Sequence, residues 1–174
     1  MTLEEGAPDL EAVCGLPGRK ILLRGNHDYW WSSLTRVRGL LPPEAFALQN
    51  DACVLGDAVF AGTRGWTVAP SAANERDYKI YRREVMRLEL SLKAAAQKGG
   101  GRPIVVLLHF PPFGDKKEGS GFTELMESYA VRHCVYGHLH GEGLKYAVSG
   151  ERGGVNYHQV SCDGLGFQLH QFEL

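Results

Sequence analysis

Three of the seven histidines follow directly on apolar runs that read as buried strands. His27 lies in Gly25-Asn26-His27-Asp28 after Ile21-Leu-Leu23, His109 follows Val105-Val-Leu-Leu108, and His138, two residues before His140, falls in Gly137-His-Leu-His140 after His133-Cys-Val-Tyr136. Loops at the carboxyl ends of strands are where sequence-distant residues converge on a ligand. Two histidines two apart can point the same way from an extended segment, which suits one ligand for each of two neighbouring metals. Imidazole nitrogens with an Asn carbonyl oxygen form a mixed donor set appropriate to manganese, iron or zinc. Singly, each is weak, since a lone histidine after a strand is commonly a satisfied polar residue and Asn-His-Asp is also turn chemistry. Jointly they weigh more, because one specified tetrapeptide arises by chance about once per 10^5 positions.

The elements that must carry these residues are legible around them. Thr2 and Glu5 have capping-box spacing for a helix running toward Leu16, against which Gly6 and Pro8 count. Phe46 to Leu48, Ala52 to Leu55 and Ala58 to Gly62 read as short strands, with Asn50-Asp51 and Gly56-Asp57 as hairpin turns between them. From Asn74 as N-cap, Tyr78, Tyr81, Val85, Leu88 and Leu92 make a core stripe, and Arg82, Arg83, Glu84, Arg87 and Glu89 a solvated face, stopped at Gly99-Gly-Gly101. Ile104 to Leu108 is apolar without alternation, as in a strand covered on both faces. A helix is expected over Phe122 to Val131, and Val155 to Val160 and Phe167 to Phe172 alternate like antiparallel strands. Interleaved helices and strands give a mixed α/β class with two sheets packed together.

Length and composition agree with one soluble domain spanning 1–174. The chain has 19 basic and 20 acidic side chains and 44% hydrophobic residues. A net charge of -1 argues against a general nucleic-acid or membrane-surface binder. No apolar stretch is long enough to span a bilayer and the acidic start is unlike a signal peptide, so a cytoplasmic location is expected. The four cysteines, 14, 53, 134 and 162, have no Cys-x-x-Cys spacing and read as buried free thiols.

Gly25-Asn26-His27-Asp28, His109 with Phe110-Pro111-Pro112, and Gly137-His138-Leu139-His140 together resemble the calcineurin-like metallophosphoesterase family. Gly62-Thr-Arg-Gly-Trp66 and the strand-rich tail also look like its bacterial members, so the resemblance covers nearly the whole length. It implies a sandwich of two β-sheets between helical layers and a dinuclear metal centre whose activated water hydrolyses phosphoesters of small molecules or proteins. By motif match, Asn26, His109 and His138 would bind one divalent ion and His140 the other, as manganese, iron or zinc. His27, oriented by Asp28, would stand beside the substrate as acid or polarising group.

The family also opens with an Asp-x-His strand and a Gly-Asp strand ahead of Gly-Asn-His, and this sequence has neither. It therefore reads as an N-terminally truncated domain lacking the carboxylate that bridges both metals. At most one metal is then expected, because repulsion between two close cations would go uncompensated. Three readings stay open: an enzyme whose given sequence starts late, a non-catalytic relic binding metal, phosphate or protein, and an enzyme completed in trans. Loss of the upstream strands would also bare an apolar sheet edge open to self-association. Arg64 and Trp66 could border the substrate cleft, and the loop Pro111 to Gly121 with Lys116 and Lys117 could be a phosphate-attracting lid, although packed and solvated roles are as consistent with the sequence.

Overall fold

The computed structural model describes residues 2–31, 33–68 and 74–174. Two sheets form the frame. Strands β1 (Lys20–Leu23) and β2 (Ala45–Leu48) pair in parallel, and β3 (Ala52–Leu55), β4 (Ala58–Thr63), β5 (Ile104–Leu108), β6 (His133–Tyr136), β7 (Gly150–Arg152) and β8 (Val155–Gln159) make a six-stranded sheet in the order β3-β4-β5-β6-β8-β7. Strands β4, β5, β6 and β8 run parallel to one another, with β3 and β7 antiparallel at the edges. A parallel strand needs a crossover, and the helices supply most of them: α2 (Leu34–Leu40) joins β1 to β2, α3 (Glu75–Gly99) joins β4 to β5, and α4 (Gly121–Ser128) joins β5 to β6. The mixed α/β, two-sheet class expected from the sequence is thus found.

Helix α1 (Leu3–Gly15) begins with the expected box: Thr2 Oγ1 accepts from Glu5 N and the Glu5 carboxylate accepts from Thr2 N. Pro8 removes one backbone donor inside this helix, yet the helix persists because Leu3, Gly6 and Leu10 are buried. Leu3 and Leu10 pack with Trp31, Val37 and Ala47 into a small core beside β1 and β2. The larger core lies between α3, α4 and the six-stranded sheet, where Leu88, Leu92, Phe122 and Met126 meet Val59, Val106, Cys134 and Tyr157. The Asn74 side chain caps α3 by accepting from Arg76 N and Asp77 N, and Gly100 ends it in the left-handed conformation.

Several expectations are corrected. Asn50-Asp51 does not close a hairpin, because β2 pairs in parallel with β1 and not with β3. Turn chemistry reverses the chain without choosing the pairing strand. Here Asp51 accepts from Arg38 and from Gln49 N, and Asn50 N donates to Gly62 O, so the segment links the two sheets. Gly56-Asp57 does join an antiparallel pair. Glu84 is not on a solvated face: it is 0% exposed and bonded to Thr63 and Arg87. Phe167 to Phe172 forms no strand, since β7 already occupies the edge beside β8. The tail instead turns back through Phe167 N to Cys162 O and lays Phe172 against the rings of His158 and His133. Of the four cysteines Cys134 is buried, Cys14 and Cys53 are half-buried, and Cys162 is exposed. Helix α2 had no counterpart in the sequence reading.

Candidate metal site

Four loops leave carboxyl ends of strands and carry the chemistry. Gly25-Asn26-His27-Asp28 follows β1, His109 follows β5, Gly137-His138-Leu139-His140 follows β6, and Ser161-Cys162-Asp163 follows β8. Backbone bonds tie them together: His109 N and Phe110 N both donate to Arg64 O beyond β4, and Gly137 N donates to His109 O.

The structure brings three of these side chains together. His109 Nε2 lies 2.6 Å from Asn26 Oδ1 and 3.1 Å from His138 Nδ1, which places three ligand-type atoms from three loops at one point. The His109 and His138 rings meet edge to face at 4.9 Å, and Phe110 backs His138 at 4.1 Å. Gly25 permits this approach. A Cβ there would stand 3.1 Å from His109 Cε1 and 3.2 Å from Asp28 Oδ2. His138 itself has φ 72°, a left-handed conformation that costs a non-glycine residue about 1–3 kcal/mol and that concentrates at functional sites.

Burial and the neighbouring His138 pull the His109 imidazole down to about 4, with Arg64 and His27 adding to the effect and Asp28 opposing it. Burial also lowers His138, followed by repulsion from His140 and His27. Both imidazoles are therefore neutral near pH 7 with lone pairs available, the state a metal requires of its ligands. Two neutral imidazoles and an amide oxygen fit a borderline divalent cation.

The remaining predicted residues stand around this trio. His27 is exposed, with its ring 6.1 Å from Tyr29. Asp28 accepts from Gly25 N at 2.6 Å and from Trp30 Nε1 at 3.2 Å, so it closes the turn that aims Asn26, and among the described residues no hydrogen bond joins it to His27. His140 is exposed and pairs through Nδ1 with Asp163 Oδ1 at 2.9 Å. Asp163 also accepts from Gly141 N and Gly164 N; these bonds, led by Gly141, hold its carboxyl below the ordinary range. Asp163 escaped the sequence reading although it carries the same signal as the others, a polar loop immediately after a strand. With Cys162 it places three ligand-type side chains within 4.8 Å of one another at His140. Arg64 lies 4.8 Å over the Trp66 ring, and Trp66 packs 5.2 Å from Phe110, so both support the wall behind His138. The Lys116-Lys117 loop is a tight turn, pinned by Glu118 accepting from Lys116 N and by Lys117 N donating to Gly114 O.

A mostly parallel sheet with imidazoles and an amide gathered at the carboxyl ends of its strands belongs to the α/β class, whose ligands bind at that edge. Residues 6–142 match the model of the calcineurin-like phosphoesterase family, and the chain belongs to that family. Its function is accordingly of the phosphoesterase type, in a family that generally binds divalent metals and acts on phosphoesters. No curated protein and no solved structure matches the chain. Among the described residues, no helix is long and apolar enough to cross a membrane.

Proposed function

We propose that the chain is a metal-dependent phosphoester hydrolase whose metal ligands are Asn26, His109 and His138. The observation that carries this reading is the meeting of Asn26 Oδ1, His109 Nε2 and His138 Nδ1 within 3.1 Å along the chain of contacts, from loops far apart in sequence. A divalent ion held there would supply Lewis-acid charge that polarises a phosphate ester and activates water. The protein's own contributions are distinct from that. Asp28 fixes the Gly25 turn and so the direction of Asn26. The neutral state of His109 keeps its lone pair free at neutral pH. Asp163 seats His140 beside the trio. His27, exposed at the rim, is positioned to hold or donate a proton to a leaving oxygen.

Three neutral donors hold a cation less firmly than carboxylates do, so this chain holds at most one manganese, iron or zinc ion, and its turnover is weak. Binding without turnover is the second reading. It is favoured by the donor trio itself, which contains no carboxylate. Elemental analysis of the purified chain together with an aryl phosphate assay tests both. The expected result is no more than one ion per chain and slow hydrolysis that vanishes in His109→Ala. Two tightly held ions would overturn the ligand assignment, and activity that survives His109→Ala would overturn the site. One ion with no hydrolysis would establish the second reading.

We propose further that copies associate along β1. Among the described residues this strand is paired on one side only, and its four residues are all half-buried.

A further inference from the structure

A second pocket adjoins the candidate metal site and has a different chemistry. It is a cavity of about 240 Å³ between the end of β1, the link after β2, the end of β4 and one face of α3. Four arginines are among the residues that line it: Arg24, Arg64, Arg83 and Arg87. One carboxylate, Glu84, stands among them, and it is already engaged. Glu84 accepts from Thr63 Oγ1 at 2.6 Å and from Arg87 at 2.6 Å, with Arg83 Nε at 3.9 Å. Arg24 and Arg64 have no ion pair among the described residues. Arg24 Nε is buried without a hydrogen-bond partner, and Arg64, partly buried, lies over the Trp66 ring and is attracted by Glu84 without forming an ion pair with it.

Arginine cannot shed its charge, so guanidinium groups clustered at one cleft, Arg24 and Arg64 half-buried and Arg83 and Arg87 nearer the solvent, favour an added counter-charge. Here four cations face one anion. The planar fork of arginine matches the oxygens of phosphate in pairs, which makes an oxyanion of that kind the natural complement. The cavity is below the usual size of a pocket for a whole organic ligand, and an isolated phosphate group suits it better.

We propose that Arg24, Arg64, Arg83 and Arg87 form a phosphate-binding subsite separate from the Asn26, His109 and His138 trio. The two lie side by side, since Arg24 directly precedes Gly25-Asn26 and Arg64 O receives His109 N. Only the use of this subsite for a substrate's second phosphate rests on the phosphoesterase reading. The binding of phosphate does not.

The test is calorimetric titration of the full chain with inorganic phosphate in the presence of a chelator, so that no metal site contributes. Saturable binding is expected, weakened about tenfold or more in Arg64→Gln and in Arg83→Gln, with each variant's fold checked by circular dichroism. Arg83→Lys, at an exposed position that tolerates change, is expected to retain part of the affinity. His109→Ala should bind phosphate as the parent does. Absence of saturable binding, or binding lost in His109→Ala and unaffected by both arginine variants, would overturn the proposal. Where hydrolysis is measurable, a rise in KM in Arg83→Gln for an ester bearing two phosphates but not for a monophosphate would assign the subsite to substrate. An unchanged KM for both alongside weakened phosphate binding would assign it to free phosphate.

Discussion

At the scale of single residues, the candidate site is governed by what burial does to imidazoles. His109 sits at about 4 against an ordinary 6.5, held down first by desolvation. Between those two values the unfolded chain binds a proton that the folded chain refuses. Folding stability is therefore full above about pH 6.5, falls as pH drops toward 4, and levels off below it. An NMR titration of the metal-free protein should show one imidazole with a midpoint near 4, absent in His109→Ala. The variant's unfolding free energy should also vary less between pH 6.5 and 4 than the parent's. A His109 midpoint near 6.5 would sink the burial argument. His27, His109 and His138 could be singled out in the sequence because each follows an apolar run, and the end of a strand is fixed by local pattern, while Asn26 and His140 took their ligand roles from the motifs they share with the family. Arg24, Glu84 and Asp163 could not be weighed in the same way. Their significance lies in which distant groups face them, and that depends on packing.

At the scale of elements, α3 shows how far periodicity reaches. Its Asn74 cap and its Gly100 stop agree with local chemistry, and Leu88 and Leu92 are buried as the stripe requires. Glu84 breaks the pattern, because a charged residue inside an apolar face is invisible as such until Thr63 and Arg87 are found opposite it. The same limit applies to α2, seven residues long and too short for its period to register, and to the tail, whose alternation needed a free strand edge that β7 had taken. Replacing Glu84 by Ala strands the Thr63 hydroxyl, unpairs Arg87 and opens a void between α3 and β4. A loss of about 3 kcal/mol is expected, moderated by the partial exposure of Arg87, whereas Glu84→Gln, which keeps the volume and one hydrogen bond, should cost about half of that. Urea unfolding of both variants checks this, and a Glu84→Ala change within about 0.5 kcal/mol of the parent would show the contact to be dispensable.

At the scale of the whole molecule, the six-stranded sheet ends in short antiparallel strands on both sides, while the two-stranded sheet has β1 at its margin. An edge strand with a free ladder invites pairing with another chain, and β1, although no longer than β3, is such a strand among the described residues. Lys20 N donates toward β2, to Glu44 O, so alternation turns the backbone groups of Ile21 and Leu23 to the open side. Beside that edge lies a cavity of about 430 Å³ with a largely apolar lining that includes Leu10, Val13, Ile21, Leu23 and Trp30, along with Asp9 and Asp28. Apolar walls next to unpaired donors and acceptors are what an added strand needs, since the ladder gives affinity and the walls bury its side chains. Light scattering should accordingly show a mass that rises with concentration. Ile21→Pro removes one outward donor and leaves the bonds to β2 in place, so it should shift the distribution toward monomer with an unchanged circular dichroism spectrum. A parent chain that stays monomeric at every accessible concentration would defeat the β1 assignment, as would an Ile21→Pro variant that is well folded and associates equally.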